Sequence, residues 1–385
     1  MEFDFDRVID RSGGDSVKWN RFAPGVLPLW VADMDFAAPP PVLEALARRL
    51  DHGVFGYGEP WPSLIEAVIN HLAQEYDWSV DPDWLLWLPG LVTGLNVACR
   101  AVGDAGGAVF TSTPIYPPFI SSPLWSQRRL TSAPLARRDG NWCWDFAAVE
   151  AALDPGTRLF LLCHPHNPVG RAWRQDELQE IAANARRHDL VVCSDEIHCG
   201  LLLEPGRRHQ PFAALDADAA RRSITLMAPS KTFNIPGLGC AFAVIPDADL
   251  HRAFGEAMRG VVPHVNVLGL AATEAAYRHG GPWHAALLDY LRGNRDRVEA
   301  AVAALPGLTM SHVEATYLAW IDTRGVEKIR ESGGPGRYFA AAGVGLSAGG
   351  DFGGDAYRDC FRLNFGCPRP TLDEALARIA RAVAA

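Results

Sequence analysis

Short apolar runs alternate with helix-patterned segments along most of this chain, and this alternation constrains the fold more than any other feature. Apolar residues recur with helical spacing in residues 42–52, 63–76 and 91–102. Strand-like runs occur at residues 84–88, 108–110, 158–163, 190–193, 224–228 and 241–245. Strands that alternate with helices are typical of a parallel sheet covered on both faces. We therefore predict an α/β fold with a mostly parallel, doubly wound sheet.

Three of these runs are each followed by a polar side chain at the point where a strand is expected to end. Asn167, Asp195 and Lys231 hold these positions, and the separations of 28 and 36 residues each leave room for one helix and a crossover. Ligands of open α/β sheets bind at the carboxyl ends of strands. The three side chains are therefore expected to line one crevice.

Of these three residues, Lys231 indicates most about the chemistry of the site. A lysine at the end of a buried strand is costly unless its amine is neutral or covalently engaged. One use of such an amine is a Schiff base with pyridoxal phosphate, whereas a surface lysine needs no such partner. Taken singly, Asp195 could be a helix N-cap and Asn167 a turn asparagine. Their order together with Lys231 favours a cofactor site.

The motifs along the chain follow the order found in one known superfamily. They are Leu-Pro-Leu-Trp-Val-Ala-Asp-Met-Asp-Phe at 27–36, His-Pro-His-Asn-Pro-Val-Gly at 164–170, Ser-Asp-Glu-Ile-His at 194–198, Ala-Pro-Ser-Lys-Thr-Phe-Asn at 228–234 and Phe-Arg-Leu-Asn-Phe-Gly at 361–366. Nearly end to end, the chain resembles fold-type-I pyridoxal-phosphate enzymes of the class I/II aminotransferase superfamily. Within it, the chain most resembles the cystathionine β-lyase-like carbon–sulfur lyase branch.

The resemblance implies a large cofactor-binding domain and a smaller α/β lobe to which both chain ends contribute. A Gly-Gly-Pro sequence at 280–282 precedes a long helix-patterned segment at 284–304, which suggests a boundary there. We expect an N-terminal segment at 1–45 that joins the small domain, a large domain at 46–280 and a small C-terminal domain at 281–385.

The resemblance also implies roles for residues around the cofactor ring. Lys231 would hold the cofactor as a Schiff base and then remove the substrate Cα proton. Asp195 would pair with the pyridinium nitrogen, and Asn167 would donate a hydrogen bond to the phenolic oxygen. Tyr116, in a turn between prolines, matches the aromatic residue that stacks on the ring face. On its own, a tyrosine in such a turn could simply be packing.

The cofactor phosphate needs backbone N–H donors at the start of a helix. A strand–Pro-Gly–helix junction at 84–102 has this form, although such junctions are common. By resemblance the donors are the amides of Leu91 and Val92, together with the Ser230 hydroxyl. Tyr57 matches a tyrosine that reaches the phosphate across a dimer interface, which implies a homodimer. The sequence alone would make Tyr57 a turn aromatic.

Arg362 is the candidate for binding the substrate α-carboxylate. Its guanidinium offers a two-donor fork that matches a carboxylate, and it alternates with apolar neighbours on an expected strand. A solvated strand arginine is the alternative. By resemblance, the backbone N–H of Ala32 lies near the same carboxylate.

Two positions depart from the broader superfamily. Many aminotransferases carry an arginine eight residues after the cofactor-binding lysine, and this chain has Gly239 at that position. Many also carry a tyrosine three residues after the aspartate that pairs with the ring, and this chain has His198 there. His198 could still donate to the phenolic oxygen. Both departures fit the carbon–sulfur lyase branch better than the transaminases.

These features predict α,β-elimination of cystathionine or another cysteine S-conjugate, which yields a thiol, pyruvate and ammonia. An aminotransferase that needs a 2-oxo acid is the main alternative, because the same residues serve both reactions. A pyridoxal-phosphate-binding regulator whose catalysis is incidental is a third.

Composition limits the remaining possibilities. The net charge of −9 and the lack of a basic segment argue against nucleic acid or an anionic membrane as a partner. No apolar run is long enough to cross a bilayer, and the acidic N-terminus lacks a signal-peptide pattern. The eight cysteines include no Cys-x-x-Cys pair, and the histidines show no metal-binding spacing. We expect a cytoplasmic enzyme without a metal, acting on a small amino-acid substrate.

Overall fold

A computed structural model describes residues 3–385 of the chain. The strands are β1 Leu27–Pro28, β2 Leu85–Leu88, β3 Ala108–Thr113, β4 Arg129–Pro134, β5 Ala136–Arg138, β6 Asn141–Cys143, β7 Thr157–Cys163, β8 Val191–Asp195, β9 Ser223–Met227, β10 Ala241–Val244, β11 Thr309–Met310, β12 Leu318–Asp322, β13 Val344–Gly345, β14 Ser347–Ala348 and β15 Cys360–Asn364. The helices are α1 Pro40–His52, α2 Pro62–Tyr76, α3 Leu91–Ala101, α4 Pro117–Trp125, α5 Phe146–Ala152, α6 Gln175–Arg187, α7 Ala217–Arg221, α8 Ala248–Met258, α9 Val267–His279, α10 Gly281–Ala303, α11 Glu327–Glu331, α12 Pro335–Ala341 and α13 Arg369–Ala384.

A seven-stranded sheet with the order β2-β10-β9-β8-β7-β3-β4 forms the centre of the molecule. The pairs from β9 to β4 are parallel, and β10 is antiparallel to both of its neighbours. The predicted α/β fold with a mostly parallel sheet is therefore confirmed. All six predicted strand-like runs belong to this sheet. The prediction missed β4, because this edge strand is largely polar and partly exposed and so lacks an apolar run.

A second, antiparallel sheet with the order β11-β12-β15-β14 is built from the C-terminal part of the chain. The N-terminal segment joins this region, since Leu27 pairs with Val344 and the Asn364 N–H donates to the Leu29 carbonyl at 2.9 Å. Helix α9 ends at His279, and α10 begins at Gly281. The domain limits given above stay a prediction.

The segment that follows β1 matters for function because it contacts both the second sheet and the loop that follows β9 of the central sheet. In this segment, residues 30–36, the carbonyls of Trp30 and Asp33 accept hydrogen bonds from Arg362 and Asn364 of β15. On the other side, Asn234 donates to the carbonyls of Met34 and Phe36. We call residues 30–36 the strap. Among residues 3–385, no helix is long and apolar enough to cross a membrane.

Candidate active site

The three polar strand ends meet at one edge of the central sheet. Asp195 is the last residue of β8 and pairs in register with Cys163 of β7 and Leu226 of β9. Asn167 and Lys231 lie four residues beyond β7 and β9, in the loops that follow these strands. Parallel strands end at the same edge of a sheet, so neighbouring strands place these side chains side by side.

A cavity of about 240 Å³ lies at this edge, between the sheet, the start of α3 and the strap. Ten of the residues predicted for the site line it: Ala32, Leu91, Val92, Tyr116, Asn167, Asp195, His198, Ser230, Lys231 and Arg362. The eleventh, Tyr57, does not. It is fully exposed, and it lines a separate groove of about 810 Å³ with residues of α1 and α9.

The Lys231 amine lies in the cavity and donates a hydrogen bond to the Ala32 carbonyl of the strap. Burial lowers the pKa of Lys231 to about 8 by removing water from the ammonium form. The nearby Asp33 carboxylate opposes this shift, and the Arg362 guanidinium adds to it. A substantial share of the amine is therefore neutral near physiological pH, as a nucleophile or base requires.

Asp195 is buried, and one of its carboxylate oxygens accepts a hydrogen bond from the Ile197 N–H at 3.1 Å. The pKa of Asp195 is raised to about 7, chiefly by burial and also by the adjacent Glu196, while the hydrogen bond from Ile197 and the nearby Lys231 oppose the rise. Among residues 3–385, no arginine, lysine or histidine forms an ion pair with Asp195. A protonated ring nitrogen would supply the missing cation.

The start of α3 provides the donors that a phosphate needs. Gly90 precedes the helix and offers no side-chain cap, so the first amides, including those of Leu91 and Val92, face the cavity without an intrahelical acceptor. The buried Ser230 lines the same cavity. Gly239 also lines the cavity and has φ +58°. A Cβ at this position would lie 3.2 Å from the Pro89 carbonyl oxygen. An arginine at position 239 would therefore be strained, which explains the departure noted above.

Arg362 extends from β15 into the cavity and is 4% exposed, so the alternative of a solvated strand arginine is wrong. Its guanidinium donates to Asn167 Oδ1 at 3.0 Å and to the Trp30 carbonyl at 2.7 Å, and it lies 4.9 Å from the centroid of the Phe352 ring. Its Nε is buried without a partner. Burial lowers the pKa of Arg362 to about 10. The guanidinium stays charged at neutral pH, and a bound carboxylate would balance that charge.

Tyr116 and His198 form further parts of the cavity wall. Tyr116 immediately precedes α4 and is partly buried, and burial raises the pKa of its phenol. His198 is buried with an unpartnered Nδ1, and burial together with Lys231 and Arg362 lowers its pKa to about 3. A neutral imidazole with a free nitrogen is able to donate a hydrogen bond to a cofactor oxygen.

Sequence reasoning missed three residues that touch this site. Ser347 accepts from Arg362 at 3.3 Å, and the Phe352 ring packs against the same guanidinium. Tyr317 is buried, and its hydroxyl donates to the Ala32 carbonyl at 3.0 Å. The Tyr317–Ala32 contact spans 285 residues, and the contacts of Ser347 and Phe352 with Arg362 span 15 and 10 residues across separate elements, so no local motif marks them.

The donor and acceptor set of the cavity fits pyridoxal phosphate. A lysine amine, an unpaired buried carboxyl group, free helix-start amides and a buried hydroxyl match its aldehyde, ring nitrogen and phosphate. The partly unpartnered guanidinium opposite them matches an amino-acid carboxylate. Fold and site together define an α/β enzyme that uses pyridoxal phosphate to act on amino acids.

The family follows from comparison with known sequences. The family model for aminotransferase class I and II matches residues 24–379, and the chain belongs to this family. It is 38% identical to cystathionine β-lyase PatB of Bacillus subtilis, over 98% of this chain and 99% of PatB. The predicted placement in the cystathionine β-lyase-like carbon–sulfur lyase branch is confirmed.

Solved structures support the same assignment. OvoB, whose crystal structure is known, is 47% identical in sequence to this chain, and the two structures superpose over 99% of each chain with a TM-score of 0.95. Cystalysin of Treponema denticola, whose crystal structure contains pyridoxal phosphate, is 31% identical over 100% of this chain and 99% of its own, with a TM-score of 0.93. Pyridoxal phosphate is accordingly the cofactor of this enzyme.

Proposed function

We propose that this enzyme cleaves the β carbon–sulfur bond of cystathionine or another cysteine S-conjugate and releases a thiol, pyruvate and ammonia. The observation that carries the proposal is one cavity that contains both an amine of lowered pKa, Lys231, and a buried guanidinium with a free Nε, Arg362. The substrate class comes from PatB, which is a cystathionine β-lyase.

Ten residues would hold cofactor and substrate. Lys231 would bind the cofactor aldehyde as a Schiff base, Asp195 would pair with the ring nitrogen, and Asn167 and His198 would bind the phenolic oxygen. Tyr116 would stack on the ring, and Ser230 with the amides of Leu91 and Val92 would bind the phosphate. Arg362 and the N–H of Ala32 bind the substrate carboxylate.

When bound, pyridoxal phosphate supplies an imine carbon for the substrate amine and an electron-poor ring that accepts the electron pair released at Cα. Arg362 fixes the substrate carboxylate, which orients the Cα–H bond toward the amine of Lys231. Lys231 takes the Cα proton as general base. The Cβ–S bond then breaks, and the sulfur leaves with its electron pair as a thiolate. The Lys231 amine then takes back its bond to the cofactor and so releases the three-carbon product, and water converts the free aminoacrylate to pyruvate and ammonia.

The decisive experiment measures pyruvate release from L-cystathionine by purified protein with pyridoxal phosphate and no 2-oxo acid. Sustained multiple-turnover release is expected. Lys231→Ala is the control and should reduce the rate by about 10²–10⁴-fold, since the general base is removed.

The aminotransferase alternative predicts a different result in the same assay. This alternative is supported by the family match, because the family model that matches the chain is that of class I and II aminotransferases. No pyruvate, but stoichiometric conversion of the cofactor to its amine form with several amino acids, would replace the lyase proposal.

We further propose that the chain is a homodimer in which Tyr57 reaches the phosphate site of the partner. Tyr57 is fully exposed, and the apolar residues Leu50, Val54 and Phe55 near it in the chain are also exposed. Exposed apolar patches of this kind mark protein interfaces. We also propose a cytoplasmic location, which cell fractionation would test.

A further inference from the structure

The Ala32 carbonyl is the acceptor of two side chains from distant parts of the chain. It accepts a hydrogen bond from Lys231 Nζ and a second one, at 3.0 Å, from the Tyr317 hydroxyl. Ala32 is 6% exposed and Tyr317 is 0% exposed, so water cannot readily replace the bond between these two residues. The two donors therefore meet at one fixed oxygen.

The backbone that delivers Tyr317 is strained. Thr316 has φ +74°, which is a genuine outlier for a β-branched residue and is energetically unfavourable. The strained conformation is held by a bond from the Thr316 N–H to the Leu201 carbonyl at 2.8 Å and by one from the Leu318 N–H to Thr316 Oγ1 at 3.1 Å. Strain of this kind concentrates at functional positions.

Each of the two carboxylates near Lys231 has one oxygen engaged by another donor, and neither accepts a hydrogen bond from the Lys231 amine. Asp33 Oδ2 accepts from Arg11 at 2.9 Å, and Asp195 Oδ1 accepts from the Ile197 N–H. Within residues 3–385, the Ala32 carbonyl is the acceptor that Lys231 uses.

We propose that Tyr317 is a positioning residue that fixes the Ala32 carbonyl as the acceptor of the Lys231 amine while substrate occupies the cofactor. The inference rests on the proposed role of Lys231 as the cofactor-binding lysine. When a substrate amine replaces Lys231 on the cofactor, the displaced amine is left half-buried in the cavity. A donor that is withdrawn from water without gaining a partner is destabilised, and the held carbonyl removes this cost. It also keeps the amine in place for the proton transfer at Cα.

The test uses the loaded enzyme and L-alanine, an amino acid that displaces Lys231 but has no β-leaving group. Cofactor absorbance is titrated with L-alanine to give its Kd for wild type and for Tyr317→Phe. Loss of the hydroxyl should raise this Kd about three- to ten-fold, the effect of one hydrogen bond. We also expect kcat for pyruvate release to fall, with an unchanged Kd for the cofactor and an unchanged Tm.

Tyr338→Phe is the matched control. Its hydroxyl also donates to a backbone carbonyl, that of Ala382, at 2.6 Å, but Ala382 does not line the cavity, whereas Ala32 does. This variant should leave the Kd for L-alanine unchanged. The same increase in both variants, or no increase in Tyr317→Phe, would overturn the proposal. A fall in Tm and weaker cofactor binding that account for the whole effect would do so as well.

A second variant keeps the test decisive if Tyr317→Phe does not fold. Replacement of Tyr317 by 3,5-difluorotyrosine preserves the shape of the ring and makes the hydroxyl a stronger donor. Burial raises the pKa of the Tyr317 phenol, which favours the protonated form needed for donation. The Kd for L-alanine should then change, and an unchanged value would contradict the proposed role. Since L-alanine loses no thiol, failure of cystathionine cleavage with a normal response to L-alanine would reject the lyase proposal alone.

Discussion

Burial acts in opposite directions on the two ionisable groups that would face the cofactor from either side. It lowers the pKa of Lys231 to about 8 and raises that of Asp195 to about 7, because the charged form of each is poorly solvated. The same change thus leaves more of the lysine amine unprotonated, so that it can accept a proton, and leaves the ionised form of the carboxyl group in need of a cation. Neither property is visible from residue type alone.

Arg362 gives a direct prediction about substrate binding. Arg362→Lys should raise KM for L-cystathionine by about 10- to 100-fold, because lysine keeps the charge but loses the planar fork. Steady-state pyruvate assays would measure KM and kcat. Arg324→Lys, a change at an exposed arginine outside the cavity, is the control and should leave KM unchanged. Equal KM values for Arg362→Lys and wild type would rule out the carboxylate-binding role.

Asp195 gives a prediction about pH and stability of the cofactor-free protein. Its folded pKa of about 7 lies above its ordinary value of 3.8, so the folded state favours the protonated form. Ionisation of Asp195 therefore destabilises the fold as the pH rises from about 4 to 7. Asp195→Asn should be more stable than wild type by roughly 2–4 kcal/mol at pH 8, and this difference should shrink toward pH 4.

Denaturant unfolding at pH 5 and pH 8 would measure this difference. Asp139→Asn, at an exposed turn, is the control and should show no such dependence on pH. A stability gain of equal size at both pH values would contradict the assigned pKa.

At the scale of elements, the strand that ends in Asp195 is anchored by a buried pair. Glu196 Oε2 lies 2.6 Å from His209 Nε2, and both side chains are 0% exposed. Glu196 also accepts from the Ser194 hydroxyl at 2.8 Å and from the Phe212 N–H at 3.0 Å. The carboxyl group thus ties the loop around residues 209–212 to the end of β8.

Removal of this carboxyl group should be costly. Glu196→Ala is expected to lower the free energy of unfolding by about 3–5 kcal/mol, because it leaves His209 and the Phe212 N–H buried without partners. Urea denaturation would measure the change. Asp373→Ala removes an ion pair with Arg297 between two exposed side chains, and this control should cost less than about 1 kcal/mol. Similar values for the two variants would show that the buried pair is dispensable.

At the scale of the whole molecule, a composite active site predicts complementation between inactive chains. In a mixed dimer of a Lys231→Ala chain and a Tyr57→Ala chain, one site retains both Lys231 and the partner's tyrosine, while the other lacks both. Co-refolded chains should therefore recover pyruvate release above the sum of the two separate variants. Sedimentation should give a dimer mass for wild type. A monomer, or activities that merely add, would exclude the shared site.

The sequence by itself determined the fold class and the polar residues at the strand ends. Asn167, Asp195 and Lys231 each follow a local apolar run, and parallel strands end at one edge, so a local pattern was enough to bring them together. Only the tertiary structure decided how Arg362, Ala32 and Tyr317 meet the lysine. Their contacts span up to 332 residues of chain and depend on how the strap packs between the two sheets, a geometry that no local periodicity specifies.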